Sequence, residues 1–228
     1  MRFLLTNDDG ISAPGIVTLA RAAQTRGAVH VVAPVAPSSG CGHQVTTHRP
    51  LRLVEHGPEE FAVEGWPVDC VRVALRGLEL TPDWVLSGVN AGGNLGADVY
   101  ISGTVAAVRE AVLLGRPGIA FSHYKRRELD FDWPRVEGWV QMVLDTLLPR
   151  ECPRGHFWNV NFPHLDPGTR EPEVVLCPVD PHPLPVRYRR EGELFVYCGD
   201  YHGRPRDPDG DVAVCLGGRI SASLMRVG

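Results

Sequence analysis

Short apolar runs alternate with longer amphipathic segments through the first 165 residues, and this alternation predicts the fold. Five apolar runs have the length and composition of buried strands: residues 2–6, 28–33, 84–87, 119–122 and 156–162. Four stretches have the periodicity and the end signals of helices: residues 15–26, 69–78, 104–114 and 136–148. Strands that alternate with helices predict an α/β, Rossmann-like parallel sheet, mixed at its edge, with helices on both faces.

The pattern changes after Pro163, where four prolines between residues 178 and 185 interrupt the chain. Two short segments, residues 186–190 and 193–198, flank Gly192 and predict a β-hairpin. Residues 211–227 are expected to add one or two strands. Because an extended arm of this length buries little surface alone, we expect it to pack on another subunit of an oligomer. The chain is thus divided into a Rossmann-like catalytic domain, residues 1–165, and a C-terminal extension with the hairpin arm, residues 166–228.

The composition is that of a globular protein with one large domain: 228 residues, 43% hydrophobic and 22% charged. A net charge of -4 argues against a general nucleic-acid binder, which would be basic. The sequence has neither a signal-peptide layout nor an apolar stretch long enough to cross a membrane. Its six cysteines are scattered without a CxxC pair, as in a reducing compartment. We therefore expect a soluble, cytoplasmic protein that binds neither nucleic acid nor membranes.

Two adjacent acids, Asp8 and Asp9, directly follow the first apolar run. Like charges about 4 Å apart repel by roughly 1 kcal/mol in water and by about 4 kcal/mol at an effective dielectric constant near 20. A divalent cation between the two acids would remove this repulsion, and carboxylates are among the oxygen ligands that such cations bind. Because Asn-Asp-Asp-Gly is also favourable turn chemistry, the acid pair alone does not distinguish a metal site from a turn.

Ligands of open parallel sheets bind at the carboxyl ends of the strands, and four loops with unusual chemistry are expected there. They contain the acid pair, Ser39, the Asn- and Gly-rich residues 88–96, and a helix start at Ser102. Ser102 is followed three residues later by Val105 instead of the Glu or Gln of a capping box. We therefore expect the hydroxyls and amides at this helix start to be free for an anion. Oxygen ligands opposite an anion cradle predict a metal–phosphate site.

Long motifs follow one another in the first half of the chain: TNDDG at residues 6–10, APG at 13–15, VAP at 32–34, SG at 39–40, GWPVDCV at 65–71, SGVNAGGNLG at 87–96 and SGTVAA at 102–107. NVNFP at residues 159–163 continues the series. In this order and at this length, the motifs are similar to those of the SurE family of survival-protein nucleotidases.

The resemblance implies a metal-dependent phosphatase that hydrolyses nucleoside monophosphates and forms a homodimer or homotetramer. It places the ligands of one divalent cation per subunit, Mg²⁺ or Mn²⁺, at Asp8, Asp9, Ser39 and Asn90. It places the phosphate contacts at Asn94, Ser102, Gly103 and Thr104. The candidate catalytic residues are Asp8, Asp9 and Asn94.

The sequence leaves several chemical alternatives open. Hydrolysis can proceed by attack of water activated by the cation, or through a covalent aspartyl-phosphate at Asp8. The substrate class includes 5′-nucleotides, 3′-nucleotides and polyphosphate. A metal-dependent nucleotide-sugar glycosyltransferase and a non-catalytic nucleotide-binding protein are the alternative functions. His43 is a candidate proton donor or a structural loop residue, and residues 125–127 form either a mobile loop over the site or a solvated turn.

Overall fold

The structure is a computed structural model that describes residues 1–126 and 128–227. In this part of the chain the strands are β1 (Arg2–Thr6), β2 (Ala28–Pro34), β3 (Leu53–Gly57), β4 (Glu60–Val63), β5 (Trp84–Asn90), β6 (Gly118–His123), β7 (His156–Phe162), β8 (Val174–Leu176), β9 (Tyr188–Glu191), β10 (Leu194–Tyr197) and β11 (Ile220–Arg226). The α-helices are α1 (Pro14–Gln24), α2 (Pro67–Arg72), α3 (Gly103–Leu113), α4 (Trp133–Leu147) and α5 (Asp211–Leu216). A π-helical turn (Val73–Gly77) extends α2, and a 3₁₀ helix (Gly96–Tyr100) precedes α3.

Nine strands form the main sheet in the order β3-β4-β2-β1-β5-β6-β7-β11-β8. The six strands from β4 to β7 run parallel, whereas β3 and β11 are antiparallel to their neighbours β4 and β7. Helices α1 and α4 pack on one face of the sheet with Phe3 and Leu5, and α2 and α3 pack on the other face with Leu4. Burial on both faces explains why β1 is continuously apolar. The predicted α/β class, the mostly parallel sheet and the two helical layers are confirmed.

The order of the strands reverses at β1, and this reversal creates a crevice. From β1 the chain passes through α1 to β2 on one side of β1, and only later reaches β5 on the other side. Connections that leave two neighbouring strands in opposite directions open a gap between the carboxyl ends of those strands. The loops after β1 and β5 therefore border one crevice.

Some elements differ from the predicted ones. Strands β3, β4 and β8 were not predicted, because each has at most five residues and β3 is largely exposed, so no long apolar run marks them. Residues 211–216 form the short helix α5 and not a strand. Asp211 accepts hydrogen bonds from the backbone amides of Gly96, Asp180 and Val212, so contacts distant in sequence fix this segment.

The predicted hairpin is present as β9 and β10, a separate two-stranded sheet in which every residue is exposed. Strands β8 and β11 lie beyond residue 165 and belong to the main sheet. The division of the chain into residues 1–165 and 166–228 stays a prediction. Within residues 1–126 and 128–227, no helix combines the length and the apolar character needed to cross a membrane.

Candidate active site

A cavity of about 460 Å³ lies at the carboxyl ends of β1 and β5. Six of the residues singled out from the sequence line it: Asp8, Asp9, Ser39, Asn90, Asn94 and Ser102. The other two, Gly103 and Thr104, are buried directly behind it at the start of α3. The four loops expected at the carboxyl ends of the strands are therefore close together, as their positions after successive strands require.

Asp8 is buried, with 4% of its surface exposed, and lines the cavity. The Thr104 hydroxyl donates a hydrogen bond of 2.5 Å to Asp8 Oδ1. Burial raises the pKa of Asp8 to about 6; the hydrogen bond from Thr104 opposes this rise, and the charge of Asp9 adds to it. The Asp8 carbonyl oxygen accepts the Ser38 amide at 2.8 Å, which ties the loop after β1 to the loop that carries Ser39.

Asp9 and Asn90 connect the loop after β1 with the loop after β5. Asp9 Oδ2 accepts a hydrogen bond of 3.0 Å from the amide of Ala91. The Asn90 side-chain nitrogen donates to the Gly92 carbonyl at 2.7 Å. Because this bond occupies the nitrogen end of the Asn90 amide, its oxygen is the end that can bind a cation.

Asn94 is held by polar groups from two neighbouring strands. Its Nδ2 donates to Ser122 Oγ at 2.7 Å, and its backbone amide donates to Asn161 Oδ1 at 2.8 Å. The Asn94 carbonyl accepts from the side chains of Asn159 and Asn161 at 2.9 and 3.1 Å. Asn159 and Asn161 were not predicted as supporting residues, although their spacing of two in an otherwise apolar strand places both on one face.

The start of α3 differs from the sequence-based expectation. Ser102 Oγ accepts the Val105 amide at 3.1 Å, so Ser102 is the N-cap of α3. The expectation that no capping occupies this hydroxyl is wrong, because a serine caps through its oxygen without the partner of a capping box. The cap leaves the Ser102 O–H free to donate to an anion in the cavity. The Thr104 hydroxyl, in contrast, is fully buried and directed to Asp8.

The donor set at the acid pair consists of two carboxylates, the Ser39 hydroxyl and the Asn90 amide oxygen. In residues 1–126 and 128–227, no arginine, lysine or histidine forms an ion pair with Asp8 or Asp9. Oxygen donors without a protein cation fit a hard divalent metal. In the same residues, no group of three or more His, Cys, Asp or Glu side chains could hold a metal. The donor set at the acid pair contains only two such side chains, and its other ligands are a hydroxyl and an amide oxygen, so it differs from a cluster of three or more His, Cys, Asp or Glu.

Five further residues that the sequence did not identify as part of the site also line the cavity: Asp98, Ile101, Tyr124, Tyr201 and His202. Tyr201 and His202 come from the C-terminal extension. The Tyr201 hydroxyl donates to Asp98 Oδ2 at 2.6 Å, and the buried Arg204 pairs with the same oxygen at 3.3 Å. No local pattern in the sequence marks these residues, because Asp98 and Tyr201 are about a hundred positions apart.

His43 lies away from the cavity, whereas Lys125 of the basic stretch at residues 125–127 lines it. His43 does not line the cavity; its Nε2 donates to Glu110 Oε2 at 2.9 Å, and Arg72 Nε donates to Glu110 Oε1 at 2.6 Å. Burial of Glu110 opposes ionisation, but these two partners outweigh it and lower the pKa of Glu110. Lys125, the only lysine of the chain, lies at the cavity with its Nζ 5.0 Å from the centre of the Phe131 ring. Arg127 lies outside the described residues.

The chain is similar to known proteins of one family. The family described as "Survival protein SurE" matches residues 3–179. A Nostoc sp. protein provisionally named as a 5′-nucleotidase is 50% identical over 227 residues, and the match covers 100% of both chains. The "5′-nucleotidase SurE" of Moorella thermoacetica is 38% identical over 240 residues, covering 100% of this chain and 90% of the relative. The crystal structure of the SurE protein from Aquifex aeolicus matches with a TM-score of 0.89 and 30% identity, covering 100% of this chain and 94% of that one. The chain belongs to the SurE family.

Proposed function

We propose that this protein is a metal-dependent 5′-nucleotidase, a hydrolase that converts nucleoside monophosphates to nucleosides and phosphate. The observation that carries the proposal is the buried Asp8 beside Asp9 in a cavity of oxygen donors, without a protein cation as partner. Relatives named as 5′-nucleotidases match the whole chain or most of it, which supports the substrate class.

One divalent cation per subunit, Mg²⁺ or Mn²⁺, would be held by Asp8, Asp9, Ser39 and Asn90. When bound, it supplies positive charge that neutralises the phosphoryl group. Thr104 orients Asp8 through the hydrogen bond to Oδ1 and leaves the other carboxylate oxygen for a cation.

The remaining groups of the site bind and orient the phosphate. Asn94 Nδ2 is a donor whose orientation is fixed by Ser122, and the Ser102 O–H is free to donate. The amino-terminal end of α3, with Gly103 and Thr104 in its first turn, adds a partial positive charge, which favours an anion by roughly 0.3–1 kcal/mol. Donors fixed before substrate binds suit a phosphoryl transfer reaction, in which catalysis comes mainly from positioning and electrostatic stabilisation.

The experiment that tests the proposal is phosphate release from a panel of substrates with Mg²⁺, with Mn²⁺ and without metal. The panel contains 5′-AMP, 5′-GMP, 3′-AMP and tripolyphosphate, and release from the last two defines any 3′-nucleotidase or exopolyphosphatase activity. We expect Asp8→Asn to lower kcat/KM by several orders of magnitude, because one ligand charge is lost. Asp209→Asn, at an exposed residue outside the cavity, is the matched control.

The outcomes separate the alternatives. Near-normal turnover by Asp8→Asn at saturating metal would contradict the assignment of Asp8. A separate incubation with a UDP-sugar tests the glycosyltransferase alternative, which turnover of that substrate would favour. Survival of every substrate in the panel would favour a non-catalytic nucleotide-binding protein. Label retained on protein after acid quenching with labelled substrate would indicate the aspartyl-phosphate route, whereas unlabelled protein supports direct attack by water.

The exposed hairpin supports the proposal that the protein forms an oligomer. Leu194 and Phe195 of β10, and Tyr188 of β9, are large side chains that the isolated chain leaves exposed. Burying them against another subunit would remove their apolar surface from water, at about 25 cal/mol per Å². We expect a homodimer or homotetramer in light-scattering measurements, and a smaller species after deletion of residues 186–198. An intact chain that is monomeric at micromolar concentration would contradict this part of the proposal.

A further inference from the structure

Lys125 is the only lysine or arginine among the described residues that line the candidate active site. Three acids line the same cavity: Asp8, Asp9 and Asp98. Asp98 already pairs with the buried Arg204 at 3.3 Å, and a divalent cation at the acid pair would balance the charges of Asp8 and Asp9. With such a cation in place, Lys125 is therefore the residue that gives the cavity an excess of positive charge.

A phosphate monoester needs more positive charge than the acid pair and a cation leave over. At pH 7 a phosphate monoester carries about 1.5 to 2 negative charges. The phosphate donors Asn94 and Ser102 offer an amide and a hydroxyl, both of which are neutral. Phosphoryl transfer is accelerated when the charge on the phosphoryl oxygens is neutralised. Lys125 is the side chain in the cavity that can supply this charge.

The backbone next to Lys125 is fixed by a loop that His164 closes. The Arg126 amide donates to His164 Nδ1 at 3.0 Å, so the ring proton of His164 is on Nε2, which donates to the Asp130 carbonyl at 3.1 Å. His164 is itself buried. The two hydrogen bonds hold the backbone at Arg126 and at Asp130, so the Lys125 side chain extends from a backbone with a defined position.

The same loop lies beside the segment that carries Asn94. A Cβ added at Gly93 would lie 3.6 Å from both Cα and Cβ of Tyr124, which is an ordinary van der Waals distance. Gly93 immediately precedes Asn94, and Tyr124 immediately precedes Lys125. The loop therefore brings a cationic residue next to one of the neutral phosphate donors.

The ammonium group of Lys125 is available to an anion. Its side chain is exposed, and within residues 1–126 and 128–227 it forms no ion pair with an aspartate or a glutamate. Lys125 Nζ lies 5.0 Å from the centre of the Phe131 ring, and a cation–π contact at an exposed site is weak. The neighbouring Arg126, in contrast, pairs with Asp166 at 3.1 Å. Lysine suits a compact anion such as phosphate, because its ammonium group is a point charge on a flexible stem.

We propose that Lys125 binds the phosphate group of the substrate, by moving its ammonium group from the Phe131 ring to a phosphoryl oxygen. The proposal rests on the metal-dependent nucleotidase function proposed above, and it adds a positively charged contact to the neutral donors of that site. Because the phosphoryl oxygens stay negatively charged in the transition state, the contact also stabilises the transition state. Lys125 is thus assigned as a catalytic residue.

The test is calorimetric titration of Mg²⁺-saturated protein with inorganic phosphate. A hydrogen bond to a charged group corresponds to about 10- to 100-fold in affinity, so we expect Lys125→Met, which removes the charge, to weaken phosphate binding by this factor. Lys125→Arg keeps the charge and should bind phosphate within about 5-fold of wild type. Arg126→Met is the matched control, because it removes an adjacent charge that is paired with Asp166 and does not line this cavity. It should change phosphate affinity by less than about 2-fold.

Two further measurements distinguish contact with phosphate from a structural role of Lys125. The Mg²⁺ affinity of Lys125→Met without phosphate should be at least that of wild type, because Lys125 is not a ligand of the cation. Between about 20 and 200 mM KCl, phosphate affinity should fall more steeply in wild type than in Lys125→Met, because salt screens the attraction that the variant lacks. Weaker Mg²⁺ binding or equal salt dependence in Lys125→Met would contradict the proposed contact.

The remaining outcomes separate this proposal from the nucleotidase function. Equal phosphate affinity in wild type and Lys125→Met, or equal losses in Lys125→Met and Arg126→Met, would overturn the assignment of Lys125. If wild-type protein releases no phosphate from 5′-AMP, but Lys125→Met and not Arg126→Met loses phosphate affinity, the nucleotidase proposal fails and the phosphate contact stands. If wild type and Lys125→Met hydrolyse 5′-AMP with the same kcat/KM, the role of Lys125 fails and the nucleotidase proposal stands.

Discussion

Gly103 allows α3 to approach the acid pair, and replacing it with alanine gives a sharp test of the site. A Cβ added at Gly103 would lie 2.7 Å from Cys41 Sγ, 3.0 Å from Asp8 Cβ and 3.1 Å from Asp8 Oδ2. Carbon atoms in good contact are about 3.5–4.0 Å apart, so all three separations are too short. Cys41 and Asp8 are both buried and cannot turn toward solvent. The new methyl group must therefore displace α3, Asp8 or the loop that carries Cys41.

The change in the free energy of unfolding caused by Gly103→Ala follows from two opposing effects. Overpacking a buried position costs about 1–3 kcal/mol. Alanine is favoured over glycine within a helix by about 0.5–1 kcal/mol, and less in the first turn, where Gly103 lies. We expect Gly103→Ala to lower the free energy of unfolding by about 1–2 kcal/mol. Because an error of about 1 Å in the position of a catalytic group can cost roughly 100-fold in rate, we expect kcat/KM for 5′-AMP to fall about 10- to 100-fold.

Gly138 is the matched control, since it lies within α4, is exposed, and has no atom within 4 Å of an added Cβ. Gly138→Ala should raise stability by about 0.5–1 kcal/mol and leave activity unchanged. Urea unfolding and 5′-AMP hydrolysis of both variants supply the comparison. Adding Cys41→Ala to Gly103→Ala removes the contact with Sγ but not those with Asp8, so it should restore part of the stability and little activity. Gly103→Ala protein as stable and active as Gly138→Ala would refute the packing argument.

Three further predictions concern buried charge. Arg204→Met should lower the free energy of unfolding by about 3–5 kcal/mol in urea, because Asp98 loses its buried ion-pair partner; a loss below about 1 kcal/mol would contradict this. Burial holds the pKa of His123 at about 4, below the ordinary 6.5, so the unfolded chain gains a proton first as pH falls. Stability should therefore decrease by roughly 3 kcal/mol between pH 6.5 and 4, and His123→Asn should flatten this part of the profile; equal slopes would exclude a role for His123. Because burial raises the pKa of Asp8 to about 6, a proton competes with a cation, so Mn²⁺ affinity measured by calorimetry should weaken about tenfold per pH unit below pH 6 and level off above it. An affinity that is constant across this range would be inconsistent with Asp8 as a ligand.

The elements that could be predicted are those whose own residues show how they are buried. β1 and β7 were predicted with the bounds that the structure has. In β1, burial on both faces demands a continuous apolar run, whereas β7 combines its apolar residues with Asn159 and Asn161. Segment 211–216 could not be predicted, because its alternating valines fit a strand as well as a helix. The helix is selected by Asp211, whose carboxylate accepts hydrogen bonds from the backbone amides of Gly96 and Asp180. These partners are distant in the chain, so the local sequence does not reveal them.

The same distinction applies to the candidate site. Asp8, Asp9 and Asn90 could be placed because they follow buried strands, and the carboxyl ends of parallel strands necessarily meet at one edge. Tyr201 and His202 could not, because they follow a hairpin in a segment without periodicity. Tyr201 is held at the cavity by its hydrogen bond to Asp98, which also pairs with the buried Arg204. A polar contact of this kind is specified by two distant side chains and leaves no pattern in either segment.

The second half of the chain also determines the geometry of the first. Asn94 belongs to the loop after β5, yet Asn159 and Asn161 of β7 bond its backbone, and Gly96 two residues later is bonded by Asp211 of α5. These bonds are buried, where an unpaired polar group would cost about 1–3 kcal/mol, so the loop has little freedom to take another shape. Loops that bind phosphate need fixed donors, because donors that must reorganise during the reaction contribute less to catalysis. The polar residues of β7 and α5 therefore supply rigidity to a loop whose own sequence, rich in glycine and asparagine, would not provide it.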